Sequence, residues 1–149
     1  MSNPSETFEC RWHGSRLLLT AYLLCLALAL CAAWLSAAPA WLASLISLAC
    51  AAHARWTIPR RILLTHPSAI TGLRRTAQGW AVFSVSQGWQ PARLRRDSLV
   101  LPHCVVLRVI RRGHWLSESQ CIAADALPAD QHRRLRVRLR FSRRRWQAA

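Results

Sequence analysis

The sequence predicts an α+β membrane protein, in which a transmembrane hairpin of two helices precedes a small antiparallel β-sheet domain. Three observations predict this class. No side chain from Leu17 to Ala54 is charged, Pro39 divides that apolar run near its middle, and short apolar runs separated by glycine and proline follow Pro59. The chain therefore divides into an N-terminal segment (residues 1–16), a hairpin (residues 17–58) and a basic domain (residues 59–149).

The apolar run is too long for one membrane crossing. As one straight helix it would extend about 57 Å, whereas the hydrocarbon core of a bilayer is only about 30 Å thick. We therefore predict two transmembrane helices, residues 17–35 and 40–58, joined by a tight turn. Pro59 should end the second helix and push Ile58 toward an extended conformation.

The charges around the hairpin predict its orientation. The turn between the helices is uncharged, and arginines flank the open ends, namely Arg11, Arg16, Arg55, Arg60 and Arg61. By the positive-inside rule both termini face the cytoplasm, and the basic domain lies there with them.

Tryptophans also stand at the expected membrane interfaces. Trp12 and Trp56 lie at the open ends of the hairpin, and Trp34 and Trp41 flank its turn. Aromatic belts of this kind are typical of transmembrane segments.

A cleaved secretory signal is the competing interpretation of the first helix. Ala38-Pro39-Ala40 has the small-x-small form of a cleavage site. The leader carries no net positive charge, however, and a second apolar segment follows at once. We therefore favour the uncleaved hairpin.

All of the net charge lies in the last domain. Glu6 and Glu9 cancel Arg11 and Arg16, so the formal charge of +15 is carried from Arg55 onward. Every basic residue is arginine. The absence of lysine excludes a phosphate loop ending in Lys-Ser/Thr, a Schiff-base lysine and a Ser–Lys dyad.

Short apolar runs after Pro59 predict an antiparallel meander of four or five strands. Gln78-Gly79, Gln87-Gly88 and Arg112-Gly113 supply turns. A sheet this small needs a helix or a membrane surface to cover one face. The predicted strands are residues 69–76, 80–85, 92–95, 105–110 and 115–123.

The sequence predicts no enzyme, no metal site and no cofactor. The acidic residues of the domain show no catalytic pairing, and its cysteines and histidines form neither CxxC nor HxxxH. There is no Gly-x-Ser-x-Gly elbow and no Gly-rich phosphate loop. A binding function is the remaining class.

An arginine-rich segment, residues 133–145 followed by Trp146, is the strongest candidate for binding. It could lie on anionic lipids, dock an acidic protein or contact nucleic acid, and we favour these ligands in that order. Trp89 and Trp115 are candidate anchors, with burial in the core as the alternative. The candidate arginines are Arg133, Arg134, Arg136, Arg138 and Arg140.

The segment from Asp125 to Phe141 fits two structures. Leu135, Val137, Leu139 and Phe141 alternate with arginines, which is the period of a strand. Asp125-Ala126-Leu127-Pro128-Ala129-Asp130 instead has the composition of a helix start. Both interpretations stay open from the pattern alone.

The whole layout resembles the YgfX family of bacterial inner-membrane proteins, also called CptA. The matching motifs are Ser86-Gln87-Gly88-Trp89, the strand and turn at residues 107–113, and Ile122-Ala123-Ala124-Asp125-Ala126-Leu127 followed by Asp130 and Arg133-Arg134-Leu135. The resemblance implies that residues 125–141 form a C-terminal helix.

The resemblance also implies a function. The family supplies the toxin of a type IV toxin–antitoxin-like system, which disturbs cell division and shape through the cytoskeletal proteins FtsZ and MreB. Its partner is a small acidic protein that promotes flavin attachment to succinate dehydrogenase. The alternatives are a membrane-tethered nucleic-acid binder and an assembly factor for a respiratory complex.

Overall fold

The computed structural model describes residues 8–95 and 97–142, and within them the chain is α+β. An apolar N-terminal helix, a curled antiparallel sheet and a C-terminal helix are all present, as predicted. The elements are β1 (Glu9–Arg11), α1 (Arg16–Leu35), α2 (Ala40–Thr57), a π-helical turn (Ile58–Ile62), β2 (Ile70–Thr76), β3 (Gly79–Ser84), β4 (Gly88–Leu94), β5 (Leu99–Val100), β6 (Cys104–Arg111), β7 (Glu118–Ala123), a 3-10 turn (Ala124–Ala126) and α3 (Ala129–Ser142).

Helices α1 and α2 pack against each other as an antiparallel pair. Near the open end the Tyr22 hydroxyl lies 2.7 Å from Nδ1 of His53, and near the turn Trp34 Nε1 donates to Ser47 Oγ at 3.1 Å. Small buried side chains, Ala33 and Ala43, allow the helices to approach closely beside the turn.

Within the described part of the chain, one helix, α1, is long and apolar enough to cross a membrane by length and composition. Helix α2 is less apolar because it contains Ser44 and Ser47 as well as His53 and Arg55. The two-helix transmembrane hairpin therefore stays a prediction.

Helix α2 ends at Thr57, one residue before its predicted end, but the extended conformation expected for Ile58 is wrong. Ile58 keeps helical dihedral angles (φ −57°, ψ −54°), and the chain continues as a π-helical turn through Ile62. Pro59 has no N–H and would clash with a carbonyl in a regular α-helix. The wider turn accommodates it, and Leu63 N–H donates to Ile58 O at 2.8 Å.

The sheet has the order β1-β2-β3-β4-β6-β5, and β7 pairs with β6 beyond this path. All the pairings are antiparallel. Gly88 (φ 66°) and Gly113 (φ 86°) take left-handed conformations in turns where glycine was expected. The strand predicted over residues 115–123 begins later, at Glu118, so Trp115 lies in the turn before it.

The N-terminal segment belongs to the sheet, which the sequence analysis did not predict. Strand β1 pairs with β2, with Cys10 opposite Leu73. Trp12 is only 5% exposed, and its Nε1 donates to Ile70 O at 3.1 Å. Its predicted position in an interfacial belt is therefore wrong, because the domain core holds this ring.

Helix α3 covers one face of the sheet. Leu135 and Leu139, four residues apart, are buried in one core with Leu73, Leu107 and Ile122. Val137 and Phe141 are exposed on the other side of the helix. The period-2 pattern was therefore misleading, and the helix implied by the resemblance is the observed structure.

This geometry predicts unequal effects of two truncations in α3. Leu135→Ala should lower the free energy of unfolding by about 2–5 kcal/mol because it leaves a cavity in the core. Val137→Ala, at an exposed helix position, should change it by less than about 0.5 kcal/mol. Urea unfolding in detergent, followed by tryptophan fluorescence, measures both. Similar losses would contradict the helix, because a strand places both side chains on one face.

Candidate binding surfaces and the membrane junction

The N-terminus of α1 is capped by a residue from the other end of the chain. Ser15 Oγ donates to Oδ1 of Asp125 at 2.5 Å, and the Leu17 N–H donates to Oδ2 at 3.0 Å. Ser15 Oγ also accepts the Leu18 N–H at 3.0 Å. The first turn of a helix has free N–H groups and a positive dipole end, so a carboxylate is well placed there.

These bonds set the pKa of Asp125. Burial acts to raise it, but the hydrogen bonds from Ser15 and Leu17 outweigh this effect and lower the pKa from its ordinary value. The carboxylate therefore stays ionised where it caps the helix.

Strand β7 holds the segment that follows α2. Gln120 is buried, and its Nε2 donates to Arg61 O at 3.0 Å. In return the Arg61 guanidinium donates to Ser119 O. Ser15 N–H also donates to Ile62 O at 3.3 Å. The sheet domain is thus joined to both helices at the open end of the pair.

Trp89 belongs to a cluster on the sheet face opposite α3. Its ring lies 5.2 Å from that of Phe83, and the guanidinium carbon of Arg74 lies 4.7 Å from the Trp89 ring centroid. Arg11 stands 4.6 Å from the centroid of Phe83. We call Arg11, Arg74, Phe83 and Trp89 the aromatic–arginine cluster. Gly72 lies beneath it, where a Cβ would come within 3.4 Å of the Arg11 and Trp89 side chains.

Trp89 is therefore half-buried outside the main core, where it holds two arginines by cation–π contacts. Of this cluster, only Trp89 was predicted as a binding residue from the sequence. Alternation along β2 and β3 would have placed Arg74 and Phe83 on this face. The pairing of β1 with β2 brings Arg11 into the cluster, and no local sequence pattern predicted this pairing.

Four of the five candidate arginines of α3 are exposed, and Arg136 is not. Arg136 is half-buried, and its Nε has no hydrogen-bond partner among the described residues. It lies near buried His132, whose pKa is lowered by burial and by the Arg136 charge. We define the α3 outer face by its exposed side chains, Arg133, Arg134, Val137, Arg138, Arg140 and Phe141.

The α3 outer face mixes charge with apolar surface. Phe141 is 74% exposed, and Val137 lies one turn before it. Arg138 also stacks on Phe8, with 4.7 Å from its guanidinium carbon to the ring centroid. The last part of the predicted segment, Arg143-Arg144-Arg145-Trp146, lies outside the described residues.

Trp115 lies in the turn between β6 and β7 and is 93% exposed. Burial in the core, the alternative considered for it, is therefore wrong. Leu116 beside it is also exposed. The predicted site residues thus lie on three separate elements, namely α3, β4 and this turn.

Two further observations concern metal ligands and thiols among the described residues. No group of three or more His, Cys, Asp or Glu residues that could hold a metal occurs in the described ranges. Burial raises the pKa of the Cys10 thiol to about 11, and burial together with Cys104 raises that of Cys121 to about 11. Neither thiol is an activated nucleophile at neutral pH.

The cap predicts a specific acid sensitivity. Asp125→Asn should lower the free energy of unfolding by about 1 kcal/mol at pH 7. Because the folded pKa is lowered, the wild-type contribution is complete above about pH 4 and is lost as the pH falls through the folded pKa. Thermal unfolding between pH 7 and pH 3 measures this difference.

Asp97→Asn is the matched control, because Asp97 makes only exposed ion pairs with Arg95 and Arg108. Its stability should follow the wild-type curve closely. Equal effects of the two substitutions would show that the cap contributes nothing specific.

The chain matches one protein family over most of its length. A family model described as the membrane-bound toxin component of a toxin–antitoxin system matches residues 6–143. No curated protein and no solved structure matches the chain. The matched region includes α1, the whole sheet and α3. The chain therefore belongs to the CptA family, also called YgfX, of membrane-bound toxins of toxin–antitoxin systems.

Proposed function

We propose that α1 and α2 together anchor this toxin in the bacterial inner membrane, with both termini in the cytoplasm. The toxin then acts without catalysis, by binding an acidic cytosolic protein on the α3 outer face.

The apolar surface of the helix pair supports the anchor. Both helices expose large apolar side chains, for example Leu24 and Leu28 on α1 and Leu45 and Leu48 on α2. Such a surface is unfavourable in water and suits hydrocarbon. The arginines that flank the pair lie at its open end, where the basic domain is attached, which favours a cytoplasmic domain.

The composition of the α3 outer face carries the proposal of protein binding. Its four arginines surround Val137 and Phe141, and the one acidic residue of α3, Asp130, lies in the first turn, beside Arg133 and Arg134 but far along the helix from Phe141. Arginine and exposed aromatic side chains are the usual anchors of protein interfaces. Complementary charge on a partner would raise both the encounter rate and the specificity.

The resemblance suggests the partners. We propose the small acidic protein that promotes flavin attachment to succinate dehydrogenase as the antitoxin, and FtsZ and MreB as the targets. Anionic lipids are a second ligand for the same arginines, since the anchor holds the domain beside the membrane. Nucleic acid is less favoured for the same reason.

The anchor predicts a defined topology. Alkaline phosphatase inserted at Ala38, in the turn between the helices, should be active because the turn is periplasmic. The same enzyme fused after Ala149 should be inactive, and green fluorescent protein at that position should fluoresce. A periplasmic C-terminus would contradict both the topology and the cytosolic partner.

If the α3 outer face binds the partner, the position of an arginine should affect binding more than the net charge of the protein does. Arg134→Gln with Arg138→Gln should weaken binding of the acidic flavinylation factor about tenfold or more, because each lost anchor costs about 1 kcal/mol or more. Arg93→Gln with Arg112→Gln removes the same charge from exposed positions on β4 and in the turn after β6, and should change binding little. Titration of the full-length protein in nanodiscs, at about 0.15 M salt, measures both.

Phe141→Ala tests the apolar anchor of the same face and should also weaken binding. Equal losses in the two double variants would show that only overall charge matters. Binding of a duplex DNA probe that depends on Arg134 and Arg138, without binding of the acidic factor, would favour the nucleic-acid alternative and contradict the proposal.

A further inference from the structure

A cleft of about 170 Å³ opens where α2 meets the sheet domain. We call it the junction cleft. It is lined mainly by Trp56 at the end of α2, Arg60 and Arg61 in the π-helical turn, Arg111 on β6, and Glu118 and Ser119 on β7. No part of the binding proposal above uses it.

The cleft carries net positive charge, because three guanidinium groups face one carboxylate. That carboxylate is already paired, since Glu118 accepts from Arg111 at 2.9 Å. Arg60 and Arg61 therefore have no acidic counterpart among the residues that line the cleft. Planar guanidinium donors match the oxygens of a phosphate group better than any other side chain does.

Several side chains that line the cleft are held in fixed positions by hydrogen bonds and stacking. Arg111 is only 7% exposed and is fixed by Glu118, by Gln87 at 3.2 Å and by Ser68 O at 3.1 Å. Its Nε is buried without a hydrogen-bond partner among the described residues. Arg60 stacks on Trp56, with 5.1 Å from its guanidinium carbon to the ring centroid. Arginines held in place lose less freedom when they bind an anion.

The position of the cleft favours a ligand at a membrane surface. It opens at the end of the helix pair at which α1 begins, so it would lie near the headgroups of a membrane crossed by α1. The exposed pair Trp115 and Leu116 lies close by, since the three residues from Leu116 to Ser119 span at most about 11 Å. An exposed indole beside a charged cleft is typical of contact with a bilayer interface.

We propose that the junction cleft is a phosphate-binding site, which takes the phosphate of an anionic phospholipid headgroup or that of a soluble phosphate ester. The lipid source rests on the membrane insertion proposed above, whereas the phosphate chemistry does not. A two-arm experiment therefore separates the sources and is independent of any protein partner.

The first arm uses full-length protein in phosphatidylcholine nanodiscs that contain a minor fraction of phosphatidylglycerol. Native mass spectrometry after release counts the phosphatidylglycerol retained. The second arm titrates inorganic phosphate into the detergent-solubilised protein by calorimetry. Arg60→Gln removes one donor, and Arg60→Glu puts a carboxylate in its place. Arg93→Gln, an exposed arginine on β4, is the control.

We expect both cleft variants to weaken binding about tenfold, because a charged hydrogen bond is lost or a like charge is added, and the control to bind as wild type. Weakening in the nanodisc arm identifies a lipid, and weakening in the phosphate arm alone identifies a soluble ester. Thermal unfolding checks that each variant is folded. If neither arm distinguishes the folded cleft variants from wild type, the site does not exist.

Discussion

The bonds between the Asp125 carboxylate and the start of α1 are the contact on which the arrangement of this protein depends. The first N–H groups of a helix have no partner within the helix, and Ser15 and Asp125 satisfy them together. Asp125 lies in the 3-10 turn between β7 and α3. One carboxylate therefore connects the apolar helix pair to the sheet and to the helix that carries the proposed binding face. Gln120 and Arg61 provide a second connection nearby.

The local partners of each arginine determine what it can bind. The formal charge of +15 suggests a uniformly basic surface, but the side chains have different partners. Arg11 and Arg74 stack on aromatic rings, Arg111 is buried with Glu118, and Arg61 supports the junction. The arginines of α3 make fewer contacts and stand beside exposed Phe141. The face proposed for binding is the one where exposed arginines and apolar surface coincide, and net charge alone would not have identified it.

Local patterns predicted much of the fold. The uncharged run gave the two helices, and the glycine turns gave most of the strands. Local sequence patterns gave wrong predictions where contacts with residues far along the chain, or an irregular turn, determine the structure. Trp12 resembles an interfacial residue in the sequence, but β1 pairs with β2 and carries this ring into the core. Ile58 stays helical because a π-helical turn absorbs Pro59. Alternation in α3 indicated a strand, whereas burial of Leu135 and Leu139 against the sheet requires a helix.

The site was less predictable than the fold for the same reason. The sequence identified Trp89 and the α3 arginines as candidate binding residues from their chemistry. It did not predict the contacts of Trp89 with Arg11 and Arg74, because these residues lie on three different strands, β4, β1 and β2. Ser15 was not predicted as a helix cap, although a serine before an apolar run is typical of one, and no local pattern connects it to Asp125.

Amide hydrogen exchange of the first turn of α1 tests the central role of this junction most directly. In the full-length protein in nanodiscs, the Leu17 and Leu18 amides should be protected in wild type. They should exchange about tenfold faster in Asp125→Asn, since a charged hydrogen bond is weakened, while amides in the middle of α1 stay unchanged. An unprotected Leu17 amide in wild type would show that the sheet domain does not cap the helix, and would contradict this account of how the protein is held together.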